Sequence, residues 1–144
     1  MPRIERTAEI SWEGNVARGQ GAITGTTGAF TALPFSLPTR IGAAEGKTSP
    51  EELLAAAHGG CFTMSLASEL TQAGTPPTRL DVTCKIVMDE VGDEGHQIVA
   101  SQLTVGADVE GVDDLGPFIE RADASCPFST LLRKAGVALE ISRA

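Results

Sequence analysis

Basic residues are scarce in this chain: 11 lysines and arginines stand against 19 aspartates and glutamates, for a formal net charge of −8. Neutralising phosphates takes clustered Lys and Arg, so no nucleic-acid binder is expected, and no polybasic patch is present to hold a membrane surface. The uncharged run from Leu53 to Ser68 falls short of the roughly 20 residues that span a bilayer, so it reads as a buried helix. Met1 to Ile10 mix charges of both signs without an apolar core, and no signal peptide is expected there. The cysteines number only three. They are odd in number and not closely spaced, which argues against a secreted disulfide framework. There are two histidines, His58 and His96, and neither completes a set of zinc ligands. No Gly-x-x-x-x-Gly-Lys loop and no Gly-x-Ser-x-Gly elbow occurs, so nucleotide binding and a hydrolase triad lack support. Repeats, low-complexity tracts and linkers are also missing. The expectation is a single domain over residues 1–144, cytoplasmic, with mostly reduced thiols and with neither metal nor cofactor.

What is present is a chain long enough, at 144 residues and 42% hydrophobic, to bury a core. Ile4, Ala8, Ile10 and Trp12 form part of a strand alternation, and Glu13-Gly14-Asn15 signals a turn into a second arm over Val16 to Thr24. Phe30 to Leu37 reads as extended, with Pro34 and Pro38 favouring a sheet edge, and Gly42 to Thr48 reads as a loop. Ser49-Pro50-Glu51-Glu52 is a helix start: Ser49 suits the cap, Pro50 the first position and Glu52 the capping box. Gly74, Pro76 and Pro77 end that helix. Being apolar nearly all round, it should be enclosed on several sides. Leu80, Val82, Cys84, Ile86 and Met88 share one strand face, Gly92 to Gly95 turn the chain, and Ile98 to Val109 return as an antiparallel partner. Val112 to Ala122 and Pro127 to Lys134 have helical character, and Gly136 to Ile141 ends the chain as a strand. The order of elements predicts an α+β domain.

Two cysteines stand out. Cys126, in Ser-Cys-Pro, falls at a helix start, where free N–H groups and the helix dipole favour a thiolate. Cys61 lies mid-helix after Gly59-Gly60. Two glycines cost a helix roughly 1 kcal/mol each, which suggests a close approach to the backbone there. Burial alone raises a thiol pKa, so a reactive Cys61 requires a nearby cation. Arg18 and Arg40 are the candidates, each in a strand-or-loop setting among small residues, and Glu51 in the first helical turn is placed to hold an arginine. Cys84 reads as core filler. His58, three residues before Cys61, reads as a hydrogen-bonded core or interface histidine rather than a ligand or base. Phe62, Met64 and Phe128 are apolar residues near the cysteines, for which core packing is the default role.

The segment Ser-Pro-Glu-Glu-Leu-Leu-Ala-Ala-Ala-His-Gly-Gly-Cys-Phe-Thr-Met-Ser-Leu (49–66) resembles the central helix of the osmotically inducible protein C family. Ala-Ser-Cys-Pro-Phe-Ser (124–129) resembles that family's second cysteine motif, and Trp12-Glu13-Gly14, Arg18-Gly19 and Thr39-Arg40 fit its N-terminal portion. His58 and Arg40 favour the osmotically inducible branch over the organic hydroperoxide resistance branch. The resemblance implies curved antiparallel sheets wrapped around a long central helix in an intertwined homodimer. It also implies a thiol-dependent peroxidase acting on organic hydroperoxides, with hydrogen peroxide as a further candidate substrate. Carried over to this sequence, Cys61 is the peroxidatic thiol and Cys126 the resolving one. Arg40, or as second choice Arg18, favours the Cys61 thiolate, and Glu51 orients that arginine. An external dithiol, such as a lipoylated protein, is the implied reductant. A thiol-disulfide redox sensor and a non-catalytic module for an apolar ligand are the alternatives.

Overall fold

The computed structural model describes residues 2–144, which divide into two compact units, a first that ends at Pro50 and a second, Glu51–Ala144. The first unit is a three-stranded antiparallel sheet in the order β1 (Ala8–Glu13), β2 (Gln20–Gly25), β3 (Leu33–Phe35), followed by a short helix α1 (Leu37–Ile41). The register pairs Trp12 with Gly21 and Gly21 with Phe35. The missing side chain at Gly21 is required there, because a Cβ would lie 2.4 Å from the Phe35 ring. Trp12 and Phe35 pack with ring centroids 5.6 Å apart.

The sequence pattern predicts extended chain through Leu37 and a loop after it, but residues 37–41 are helical. Ser36 caps them, its Oγ accepting from the Thr39 N–H at 3.3 Å, and Pro38 lies in the first turn. The same proline that disfavours a central strand is tolerated at a helix start, so a Ser-x-Pro signal won over the edge-strand reading. Arg40 therefore sits on a helix, in its last turn, rather than in a strand or loop.

The second unit is built on α2 (Pro50–Gln72), which begins at the expected proline. A hairpin follows, β4 (Arg79–Glu90) and β5 (His96–Asp108), joined by a 3-10 turn at Gly92–Glu94. Then come α3 (Gly116–Ser125), α4 (Pro127–Lys134) and β6 (Ala138–Arg143). The last strand lies beside β5 in parallel, so the second sheet has the order β4-β5-β6 with one antiparallel and one parallel pairing. The chain as a whole is α+β. Among the described residues no helix is long and apolar enough to cross a membrane.

The core of the second unit is contiguous. Phe62, Leu66 and Leu70 on α2 pack with Leu103 and Val105 on β5 and with Leu115, Ala122 and Cys126. The four buried residues of α2, His58, Phe62, Leu66 and Leu70, recur every four positions and form one stripe. Met64, on a different face, is 76% exposed in the single chain. A helix expected to be enclosed on several sides is thus covered by its own chain along one stripe.

Candidate active site

Cys61 and Cys126 meet in the second unit. Cys61 is on α2, half-buried; Cys126 is fully buried between the last residue of α3 and the first of α4, and serves as the N-cap residue of α4. Both are free thiols. Pro127 opens α4, and its fixed φ suits that position. The early backbone N–H groups of a helix have no partner within it, and the Phe128 N–H, in the first turn of α4, is one of these. Burial pushes the Cys61 thiol above its ordinary pKa, and hydrogen bonding with the Cys126 side chain pushes it the same way; the Phe128 N–H acts in the opposite sense and favours the thiolate. Two thiols distant in sequence are therefore close enough to influence each other, at a helix start that supplies an anion-favouring group.

One turn before Cys61 on the same helix, His58 is fully buried with both ring nitrogens engaged. Nδ1 lies 2.6 Å from Ser101 Oγ on β5, and Nε2 lies 2.8 Å from Ser129 Oγ on α4. Both serines are themselves fully buried. Burial lowers the His58 pKa below 6.5; Asp123 opposes that shift and Arg133 adds to it. The ring is accordingly neutral at pH 7, with one nitrogen donating and the other accepting. His58 is the hydrogen-bonded core histidine that its position predicts.

Cys84 is more than filler. Its Sγ lies 3.4 Å from Ser101 Oγ and 3.9 Å from His58 Nδ1, which adds a thiol to the same polar cluster. Its Cβ also accounts for one of the two helix glycines: a Cβ on Gly59 would come within 3.1 Å of it, whereas one on Gly60 would meet nothing within 4 Å. The close approach predicted from Gly59-Gly60 holds at Gly59 and has no counterpart at Gly60 in the single chain. Ser101 and Ser129 were not singled out from the sequence. The available signal was a serine on the strand face that continues into Leu103 and Val105, a polar residue where the alternation calls for an apolar one.

The remaining predicted residues belong to other parts of the chain. Glu51 is in the first turn of α2, ten residues before Cys61 and so roughly 15 Å away along the helix axis; it can influence the thiol only through another side chain. Arg18 and Arg40 belong to the first unit. The Arg18 backbone N–H donates to Asn15 Oδ1 at 2.8 Å in the turn after β1, beside a cavity of about 520 Å³ lined by Glu13, Gly14, Asn15 and Gln20. Arg40 lines a smaller cavity of about 190 Å³ with Trp12, Val16, Phe35 and Leu37. Of the apolar candidates, Phe62 is fully buried in the core, Met64 is exposed and Phe128 is 36% exposed. Among the described residues no group of His, Cys, Asp and Glu is arranged to hold a metal ion.

Comparison with known proteins places this arrangement. Residues 42–142 match the OsmC-like protein family, a span that includes Glu51, Cys61 and Cys126 but not Arg18 or Arg40. Over 139 residues, 95% of this chain and 95% of the relative, the sequence is 36% identical to Peroxiredoxin OsmC of Escherichia coli K12. The fold is similar to that of the organic hydroperoxide resistance protein OhrB of Bacillus subtilis, with a TM-score of 0.74 at 23% identity over 96% of this chain and 98% of that one. It is also similar to an organic hydroperoxide resistance protein from Elizabethkingia anophelis, with a TM-score of 0.75 at 21% identity over 100% and 99% of the two chains. With a family match covering most of its length and a relative this similar from end to end, the chain belongs to the OsmC-like protein family.

Proposed function

We propose that this chain is a thiol-dependent peroxidase that reduces organic hydroperoxides, with Cys61 as the peroxidatic and Cys126 as the resolving residue. The observation that carries the proposal is that Cys61 packs against the buried cluster that holds Cys126, the N-cap residue of α4, at a helix start that offers free N–H groups. A peroxidatic thiol needs such a neighbourhood: a group that favours its anion and a second sulfur that can trap its oxidised form. The relative named a peroxiredoxin and the structural neighbours named for organic hydroperoxide resistance support the same reaction and substrate class.

In the proposed cycle the Cys61 thiolate attacks the terminal oxygen of ROOH. The O–O bond breaks, ROH leaves after taking a proton, and Cys61 becomes a sulfenic acid. The Cys126 thiolate attacks that sulfur and expels hydroxide, which leaves as water, forming the disulfide. Bridge formation requires the two Cα atoms to come within about 7 Å. An external dithiol, for which a lipoylated protein is the proposed source, returns two electrons and two protons and is itself oxidised to a disulfide.

Burial opposes ionisation of Cys61, so the thiolate needs a cation. Arg40 is assigned that role and Glu51 that of orienting it, with Arg18 as the second choice. The working form is proposed to be a cytoplasmic homodimer. Ile10, Ile41 and Met64 are 61%, 74% and 76% exposed in the single chain, and a second copy is the proposed cover for them.

Reduced protein mixed with cumene hydroperoxide or hydrogen peroxide, with dihydrolipoamide as reductant, tests the proposal. Sustained peroxide loss in the wild type, abolished in Cys61→Ser and Cys126→Ser, is the expected result, with a sulfenic acid trapped at Cys61 in Cys126→Ser. Disulfide formation without sustained turnover would favour a redox sensor instead. Trapping at Cys126 in Cys61→Ser would reverse the two roles.

A further inference from the structure

Helices α2 and α4 touch at two places one turn apart. At the first, His58 Nε2 lies 2.8 Å from Ser129 Oγ. At the second, Cys61 packs against the buried cluster that holds Cys126, the N-cap residue of α4. The spacing matches on both helices: His58 precedes Cys61 by three positions, on one face of α2, and Ser129 follows Cys126 by three positions at the start of α4. A displacement of that turn at one contact is carried to the other. The ring is braced from behind by Ser101 on β5, at 2.6 Å from Nδ1, so it is wedged between sheet and helix. Cys84 from β4 lies 3.9 Å from Nδ1, and Asp123 from α3 and Arg133 from α4, joined by a salt bridge, act on the ring through their charges. Nothing in the cycle proposed above uses this buried cluster.

We propose that His58 is a positioning residue for Cys61: through Ser129 it clamps the first turn of α4 to α2 and so keeps the Phe128 N–H and Cys126 on the Cys61 sulfur. The inference rests on the assignment of Cys61 as the reacting thiol. The clamp works by geometry and not by charge, because the ring is neutral at pH 7. It therefore differs from the arginine role, which is electrostatic. Ser101 has a separate part. It holds the ring from the sheet side and leaves the His58–Ser129 bond in place when it is lost, so its loss weakens the fold without releasing the helix start.

The test is the rate of Cys61 alkylation by iodoacetamide from pH 5 to pH 10, resolved by mass spectrometry, in the reduced wild type, Ser129→Ala, Ser129→Thr and Ser101→Ala. Loss of the clamp removes an N–H that favours the thiolate, so Ser129→Ala is expected to slow alkylation at neutral pH by about tenfold and to move the pH midpoint upward. Ser129→Thr keeps the hydroxyl and restores the rate. Ser101→Ala lowers the thermal midpoint as Ser129→Ala does, yet slows alkylation by less than about twofold. An unchanged profile in Ser129→Ala, or an equal slowing in Ser101→Ala, overturns the proposal. If Ser129→Ala does not fold, His58→Gln is judged by the same limits. Peroxide turnover measured in parallel separates the two readings. A shifted profile in Ser129→Ala with no turnover in the wild type sinks the peroxidase reading alone, whereas wild-type turnover with an unshifted Ser129→Ala profile sinks the clamp alone.

Discussion

The two units of this chain treat their apolar residues in opposite ways. In Glu51–Ala144, Phe62, Leu66, Leu70, Leu103 and Val105 are all at 1% exposure or less and form one cluster with Cys126. In the unit that ends at Pro50, Ile23 is the one buried hydrophobic residue among those described, and every residue of β1 is exposed. The first unit is held by backbone ladders and by one tilted aromatic pair; the second has a packed interior. The candidate chemistry divides along the same line. Both thiols and His58 sit in the unit with a core, where close packing fixes side chains in single positions. Both candidate arginines sit in the unit without one. The thiols thus belong to the unit with a packed interior, whereas the arginines proposed as the cation belong to the unit without one.

That contrast can be broken most forcefully at the core. Leu66→Ala should lower the unfolding free energy by about 2–5 kcal/mol, whereas Ile10→Ala should change it by less than about 0.5 kcal/mol; urea denaturation of dilute protein measures both. A comparable loss at Ile10, growing with protein concentration, would show that a second copy buries the first sheet. A smaller effect is expected at the cation. Arg40→Ala should slow Cys61 alkylation at neutral pH by about tenfold, and Arg18→Ala by less. If neither changes the rate, an arginine is not what ionises the thiol. The smallest effect separates the two helix glycines. Gly60→Ala should raise stability by up to about 1 kcal/mol, the usual gain of alanine over glycine in a helix. Gly59→Ala should lower stability, because its Cβ would press on Cys84, held in β4. Thermal unfolding reads both, and sedimentation adds a further outcome: a Gly60→Ala chain that loses self-association places that face of α2 in an interface.

Much of the fold was legible because it is written in local signals. Ser49-Pro50-Glu51-Glu52 and Gly74 bracket α2, and the alternation from Leu80 to Met88 marks β4. The failures have physical causes. Residues 37–41 form one short helical turn, too brief for any periodicity to show, and Pro38 suits both a strand edge and a helix start. The parallel pairing of β6 with β5 depends on where α3 and α4 return the chain, which strand character alone does not encode. At the candidate site, helix-start logic pointed to Cys126 and mid-helix glycines pointed to Cys61. Ser101 and Ser129 went unnoticed because a serine has no signature until its partner is known.

By itself the sequence determined which residues are able to react: a cysteine at a helix start, another in an uncharged helix, few histidines and a shortage of cations. Those are properties of residue type and immediate neighbours, which the local backbone conveys. Only the tertiary structure decided that the start of α4 lies against α2, bringing Cys126 and Cys61 into one packed cluster and wedging His58 between two serines. Contacts of that kind join positions far apart along the chain, and their geometry comes from packing one core rather than from any short stretch of residues.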